Sequence, residues 1–415
     1  KQVLSDEARF HSHFFALRGG KKSSQRRLTS GLLSMNGDEH RRNRRLVMGP
    51  FQKKAIANYH DTIVWLTQDL IGGWQPGETI NVSKEMVQFM LRLTSSILFG
   101  LDEPEFAHHV GMKIERWVSL NHEIGPAAFT PDRHLVDRYD ELLEAADELE
   151  TALTELLHRK RTGQMGYDVL SLLIHAHDDD GGISDDQLMG HLALLFGAAH
   201  LTSAHTLTWT FFLLGQHPDV ADALFAELRS SCGGEPPALD QLDSQRMLDV
   251  VLKESMRILP ASSYSQRIAA ETVDLGPFRL EAGAIVIFSQ FITHHLESLY
   301  PQANRFLPER WESISPSPYA YLPFGAGPRM CIGAALGMMQ IKLAVSTILG
   351  RWKLEAIPWS TVNARVLSTM LFPDGAVRMI AQPADGLHQA HPVLGNIHNL
   401  LELPAQGGAA TRRAA

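Results

Sequence analysis

The sequence has little cysteine: Cys232 and Cys331 are the two thiols in 415 residues. So small a number argues against a disulfide framework and against a cysteine-rich zinc site. Free thiols suit a reducing compartment, and we therefore expect a cytoplasmic protein.

The sequence also lacks a long hydrophobic run and an excess of positive charge. No stretch of about 18 apolar residues occurs, so we expect no membrane span within these residues. Its 38 basic residues against 46 acidic ones give a net charge of −8, which offers a nucleic acid no general attraction. With 44% hydrophobic residues the chain can bury a sizeable core, and we expect a monomeric globular protein.

Most of what is present has helical periodicity. A leucine stripe predicts a helix between Tyr139 and Arg161. Ser184 and Gln187 match a capping box, and they begin a longer predicted helix that continues to about Leu214. That helix is apolar on nearly every side, so it should run through the interior.

A shorter region has the alternation of β-strands. From Arg267 to Phe288 apolar and polar residues alternate, with turns around Gly276 and Gly283. A further helix is predicted at about 334–349. The sequence therefore predicts a mainly α protein with small β-sheets.

The second cysteine lies in the glycine-rich stretch FGAGPRMCIG, just before that last helix. Glycines let the backbone approach a flat group closely. Backbone amides there and at the helix start can hydrogen-bond Cys331 as a thiolate, Phe324 can shield the sulfur, and Arg329 can reach an anion. A thiolate so supported suits a haem iron. The alternative is that Cys331 is a small buried hydrophobe, the usual state of a free cysteine.

The stretch resembles the haem-binding signature of the cytochrome P-450 family, Phe-x-x-Gly-x-Arg-x-Cys-x-Gly. The matching residues are Phe324, Gly327, Arg329, Cys331 and Gly333. The resemblance implies that the cofactor is haem b (iron protoporphyrin IX) and that Cys331 is its axial ligand. It also implies that the haem lies between a long distal helix and the proximal loop that carries Cys331.

The resemblance extends over most of the chain and implies a bacterial-type soluble member. We expect a catalytic domain at 1–384, without the family's N-terminal lead and first strands, and an appended tail at 385–415. The tail segment PVLGNIHNLLELP resembles the missing proline-rich lead.

Two further motifs support the resemblance. In KESMR, Glu254 and Arg257 share one helical face; alone they would be an ordinary surface ion pair. With Arg310 of the PERW motif, the resemblance implies a buried network that braces the region beneath the haem.

Basic residues occur at the places where the family binds the haem propionates. In DEHRRNRRL, His40 and Arg44 lie four apart on one face, which alone suggests a solvated basic helix. The resemblance implies that both bind the propionates, together with Arg267 and Arg329.

The long helix departs from the family pattern at a catalytic position. The family has Ala/Gly-Gly-x-acid-Thr followed by Thr or Ser, and this sequence has AAHLTS from Ala198 to Ser203. Thr202 matches the alcohol that steers protonation of dioxygen, whereas Leu201 replaces the acid that organises the proton supply. Ser203, water or a substrate group would then complete the relay. His200 is more typical of a structural core histidine, as is His205.

The resemblance implies a monooxygenase that hydroxylates or epoxidises a lipophilic molecule, such as a terpenoid, polyketide or fatty acid of secondary metabolism. The residues predicted to line the substrate pocket are Phe196, Ala198, Leu201, Ser262, Tyr264, Thr369 and Leu371. Because the distal acid is absent, a peroxygenase, coupling or desaturating enzyme is the first alternative. A non-enzymatic haem-binding or sensor protein is the second.

Electrons must come from another protein, since the sequence has no flavin motif and too few cysteines for an iron–sulfur cluster. Arg41, Arg42 and Arg45 flank the predicted propionate ligands. Such a basic patch on an acidic protein suits an acidic ferredoxin or flavodoxin-type donor.

Overall fold

The computed structural model describes residues 1–13, 17–125, 134–163, 165–180, 184–385 and 387–404. Residue 386 and residues 405–415 of the predicted tail lie outside the described residues. The helices are α1 (Gln2–Ser5), α2 (Ser24–Leu28), α3 (Gly37–Val47), α4 (Lys53–Ile56), α5 (His60–Gly72), α6 (Val82–Phe99), α7 (Pro104–Ile124), α8 (His134–Thr162), α9 (Val169–Asp180), α10 (Asp185–Gln216), α11 (Pro218–Cys232), α12 (Leu239–Leu242), α13 (Arg246–Ile258), α14 (Gln290–His294) and α15 (Ala334–Leu349).

The strands form small antiparallel sheets beside this helical body. They are β1 (Phe10–Ser12), β2 (Glu78–Asn81), β3 (Ser265–Ala269), β4 (Val273–Leu275), β5 (Phe278–Leu280), β6 (Ile285–Phe288), β7 (Trp352–Ala356), β8 (Ala364–Leu367), β9 (Met370–Pro373) and β10 (Arg378–Pro383). The sheet orders are β1-β3-β6, β2-β10-β7, β4-β5 and β8-β9. The prediction of a mainly helical protein with small sheets is confirmed.

The central element is α10, which the capping box begins as predicted. The Ser184 hydroxyl accepts from the Gln187 amide at 3.3 Å, and the Gln187 side chain accepts from the Ser184 amide at 3.1 Å. The helix is about 48 Å long, is buried along most of its length, and packs against α2, α6, α7, α13 and α15. It ends before Pro218, whose ring cannot continue the ladder of hydrogen bonds.

Residues 387–404 lie against the body next to the β8–β9 hairpin. The Val362 amide donates to the Leu394 carbonyl at 2.8 Å, and the Leu394 amide donates to the Ser360 carbonyl at 2.8 Å. Further along, the Glu402 amide donates to the Asn304 carbonyl at 2.8 Å. Ile397 is fully buried, so side-chain packing reinforces this backbone pairing.

None of the helices in the described ranges combines the length and apolar character that crossing a bilayer requires.

Candidate functional site

The loop that carries Cys331 is a tight glycine turn placed directly before α15. Gly325 and Gly327 have φ of +69° and +73°, in the left-handed region that favours glycine. At Gly327 a β-carbon would lie 2.2 Å from the Leu4 carbonyl oxygen, so a side chain has no room. The Cys331 amide donates to the Phe324 carbonyl at 2.8 Å and closes the turn.

Cys331 is exposed as a residue, although protein atoms surround its sulfur closely enough to desolvate it. Burial raises the pKa of its thiol, while the Gly333 amide and the Arg44 charge act in the opposite direction. The amide support that we predicted from the sequence is therefore present, but desolvation outweighs it. A cation bound at the sulfur would add to this amide support and favour the thiolate.

Four basic side chains from three parts of the chain lie close together, and this cation cluster reaches Cys331 through Arg44. Burial is the main cause that lowers the pKa of His40 (to about 4), Arg44, Arg267 and Arg329 (to about 10). Arg329 is also destabilised by the charges of Arg267 and Arg44. The negative charge of the Glu7 carboxylate acts in the opposite direction and raises the pKa of Arg329.

Two nitrogens in this cluster are buried without a hydrogen-bond partner in the described part of the chain: Arg329 Nε and His40 Nδ1. His40 Nδ1 lies 3.6 Å from Glu7 Oε2, too far for a hydrogen bond. Unpaired buried donors and mutually repelling guanidinium groups mark a place that suits an anion. Two propionates meet this requirement, so the residues present fit a haem bound at Cys331.

A cleft of about 320 Å³ beside α10 is lined by Arg267 of this cluster. Its lining residues are Ser12, His13, Leu33, Trp117, Val118, Asn121, His122, Ala193, Leu194, Gly197, Ala198, Thr202, Ser262, Ser265, Gln266, Arg267, Ser368, Thr369 and Met370. Thr202 and Arg267 thus share one cleft. The Thr202 hydroxyl donates to the Ala198 carbonyl at 2.7 Å, one turn back along α10.

The structure brings only part of the predicted pocket together. Among the described residues, the lining includes Ala198, Ser262 and Thr369 but not Phe196, Leu201, Tyr264 or Leu371. Phe196 stacks on Phe99 of α6 at 5.5 Å instead. Leu371 is buried, and its carbonyl accepts from Trp209 Nε1 at 3.3 Å. Leu201 is 6% exposed and belongs to the core.

The remaining polar residues near Thr202 on α10 are internal. Ser203 is buried and lies outside the lining of the cleft. His200 is paired through Nε2 with the Val87 carbonyl at 3.1 Å, and burial lowers its pKa to about 4. His205 is buried against the Phe372 ring at 4.4 Å, with its pKa lowered to about 3 mainly by burial. Both are neutral core histidines, as their position on an interior helix suggests.

Sequence reasoning singled out no individual residue of the wall that α7 supplies. Trp117, Val118, Asn121 and His122 line the cleft. Trp117 Nε1 donates to Gln25 Oε1 at 2.6 Å, and Gln25 Nε2 donates to Asn121 Oδ1 at 2.9 Å, which fixes this wall internally. No local signal marks the residues, because α7 reaches the cleft only through tertiary packing.

A buried ionic network lies at the junction of α13 with the PERW motif. Glu254 Oε1 accepts from Arg257 Nη2 and Arg310 Nε, each at 2.8 Å, and from the Leu307 amide at 3.0 Å. Its Oε2 accepts from Arg257 Nε at 2.9 Å and Trp311 Nε1 at 3.0 Å. Glu254 and Arg257 are fully buried, so this is a satisfied network and not a surface ion pair.

A second hollow, of about 370 Å³, lies on the surface by α3. Its lining residues are Glu7, His40, Arg41, Arg44, Arg45, Met48, Gln52 and Pro328. Arg44 Nη2 donates to the Met330 carbonyl at 2.7 Å, which connects this basic surface to the residue that precedes Cys331. We refer to this hollow, with its lining residues, as the basal surface.

Comparisons with known proteins agree with this geometry. A family model described as Cytochrome P-450 matches residues 1–374. The chain is 32% identical over 361 residues to cyclooctat-9-en-7-ol 5-monooxygenase of Streptomyces melanosporofaciens, covering 83% of this chain and 77% of the relative. It is 28% identical over 357 residues to pentalenene oxygenase of Streptomyces avermitilis, covering 83% and 78%.

A solved structure has the same fold. It is a cyanobacterial cytochrome P-450 with retinoic acid bound, and it matches with a TM-score of 0.79 at 20% identity, over 92% of this chain and 87% of that one.

Proposed function

The chain belongs to the cytochrome P-450 family of haem-thiolate monooxygenases, and from this membership we propose that it hydroxylates or epoxidises a terpenoid. The names of two relatives, a cyclooctat-9-en-7-ol monooxygenase and a pentalenene oxygenase, support the substrate class. The observation that carries the proposal is the cleft that joins Thr202 to the cation cluster through Arg267, walled by Trp117 and Val118. Such a wall suits a lipophilic ligand.

The test is a comparison of ligand classes on the holoenzyme. We expect sesquiterpenes and diterpenes to shift the haem spectrum toward the high-spin form at lower concentrations than fatty acids of equal carbon number. Tighter binding of the fatty acids would contradict the terpenoid class.

Each group of residues has a distinct task in this proposal. Haem supplies the activation of dioxygen and its transfer to carbon. Cys331 would supply the sulfur that holds the iron, and His40, Arg44, Arg267 and Arg329 would bind the propionates. The apolar cleft wall orients the substrate and excludes water.

We assign proton delivery to the Thr202 hydroxyl, the alcohol of α10 that lines the cleft. Replacing Thr202 by valine keeps the shape of the side chain but removes the hydroxyl group and its proton. We therefore expect the rate of product formation to fall on the order of 10²-fold. Peroxide release per electron consumed should rise in parallel. Both quantities are measured in the same reaction.

The matched control is Thr206→Val, one turn further along α10, where the hydroxyl donates to the Thr202 carbonyl at 2.9 Å and is buried. This variant should keep the coupling of the parent. Full activity of Thr202→Val with peroxide but not with dioxygen would still fit the assignment. Unchanged coupling with dioxygen would contradict it.

We further propose that a ferredoxin or flavodoxin-type donor docks on the basal surface in the cytosol. Arg41 and Arg45 of α3 are exposed there, and Arg42 is exposed on the same helix. Reversing one charge in Arg45→Glu should slow reduction by an acidic [2Fe–2S] ferredoxin about tenfold at low ionic strength. Salt should diminish the difference, because the Debye length falls to about 8 Å at physiological ionic strength.

The control for this prediction is Arg378→Glu, an equal change of charge on β10, outside the basal surface. Reduction by dithionite should be the same in all variants. Equal slowing by both substitutions would mean that net charge alone acts, and the docking site would be abandoned.

A further inference from the structure

The polar side chains of the cleft wall are mostly hydrogen-bonded to the protein itself. The Thr202 hydroxyl donates to the Ala198 carbonyl, and the Ser262 hydroxyl donates to the Tyr264 carbonyl at 3.3 Å. Asn121 accepts from Gln25 and donates to the Trp117 carbonyl at 2.8 Å. In this arrangement both hydroxyl hydrogens are donated to backbone carbonyls, so these groups offer a ligand an acceptor oxygen and no free donor until the hydroxyl rotates.

His122, at the C-terminal end of α7, is different. Its Nδ1 is buried, and among the described residues no hydrogen bond reaches either nitrogen of the ring. The side chain is half-buried and lines the cleft. A buried imidazole nitrogen without a partner is costly, and a ligand oxygen is a natural partner for it.

The His122 ring is held in place by an element from the other end of the chain. Phe372 of β9 meets it edge-on, with ring centroids 6.5 Å apart and an angle of 87°. The same Phe372 ring packs on His205 of α10 at 4.4 Å. The imidazole is therefore positioned between α7 and β9 before any ligand arrives, which limits the ordering cost of binding.

Burial lowers the pKa of His122, so the ring is neutral near pH 7. A neutral imidazole offers one N–H donor and one acceptor. It can pair with a hydroxyl in either direction or donate to a carbonyl. It gives a carboxylate no ion pair.

We propose that His122 hydrogen-bonds an oxygen already present on the substrate, so that this enzyme acts on a terpenoid alcohol or ketone in preference to the parent hydrocarbon. The proposal rests on the proposed terpenoid function and narrows it. His122 is a positioning residue that sets which carbon faces the reactive centre. It follows that an earlier oxygenation or water-capturing cyclisation must supply the substrate.

The test compares matched ligands on the holoenzyme. Cedrol and cedrane share a skeleton and differ by one hydroxyl, and 1-dodecanol and dodecane form a second pair without a terpenoid skeleton. Dissociation constants are taken from the spin-state shift. His122→Phe should weaken cedrol binding about tenfold, the effect of one hydrogen bond, and change cedrane less than about twofold.

Two further variants separate hydrogen bonding from packing. His122→Gln restores a donor and an acceptor, so it should recover most of the affinity for cedrol. His108→Phe is the matched control: His108 lies on the same helix, its Nδ1 is likewise buried without a partner, and it is outside the cleft lining. This control should leave both ligands unaffected.

The outcomes are distinct. Equal losses for cedrol and cedrane in His122→Phe would overturn the proposal, as would no loss for either. If neither terpenoid binds the parent but 1-dodecanol does so in a His122-dependent way, the terpenoid class fails and the role of His122 stands. If none of the four compounds binds, both proposals are overturned.

Discussion

Replacing Cys331 by serine is expected to abolish turnover, down to the rate of a reaction without enzyme. Serine has nearly the same size as cysteine, but its alcohol does not ionise near neutral pH. The iron would therefore lose its anionic sulfur ligand. The reduced carbon monoxide complex should therefore lose the long-wavelength Soret band that is typical of thiolate ligation. Haem content and this spectrum are measured together with product formation.

Cys232→Ser provides the matched control, since it changes the chain's other thiol. Cys232 lies at the end of α11, where its sulfur donates to the Leu228 carbonyl at 3.1 Å. The control should keep the spectrum and the activity of the parent. If Cys331→Ser also kept both, the assignment of the axial ligand, and with it the haem site described above, would be wrong.

Replacing Glu254 by glutamine is expected to destabilise the protein by about 3–5 kcal/mol. Glutamine has nearly the same shape as glutamate, but an NH2 group replaces one of the two carboxylate oxygens. That NH2 group would face N–H donors of Arg257, Arg310 or Trp311. Both guanidinium groups then remain buried without their counter-charge. Urea unfolding followed by tryptophan fluorescence, together with the rate of haem loss, measures the effect.

An exposed carboxylate on α8 is the control for this substitution. Glu148 contacts Lys113 at 2.9 Å and is 49% exposed in its side chain. Glu148→Gln should change stability by no more than about 1 kcal/mol. Similar small changes for both variants would show that the buried network contributes little to stability, however complete its hydrogen bonds are.

The sequence predicted well those features whose cause is local. The capping box of Ser184 and Gln187 begins α10 because both partners lie within one turn. The glycines before Cys331 predict a turn because glycine tolerates left-handed backbone angles, and Gly325 and Gly327 adopt such angles. The small sheet around β3 and β6 follows from alternation and from the intervening turns.

Features that depend on distant packing were not predictable in the same way. The position of Phe196 on α10 made it a reasonable pocket residue, yet stacking on Phe99 of α6 takes its ring out of the cleft wall. His122 carries no local signal, because its role depends on α7 meeting β9 about 250 residues later along the chain. The raised pKa of Cys331 depends on how completely the fold desolvates the sulfur, which a motif does not encode.

The pairing of Glu402 with Asn304 has a consequence for the order in which the protein is made. The two residues are separated by roughly a hundred positions, a span that includes Cys331, α15 and the β8–β9 hairpin. A ribosome adds residues at about 5–20 per second, so the Asn304 carbonyl waits several seconds for its partner. During that interval the backbone of Ser360 and Val362 also lacks the strand-like segment around Leu394. The β8–β9 hairpin, whose turn residue Thr369 lines the cleft, therefore gains these neighbouring contacts late in synthesis.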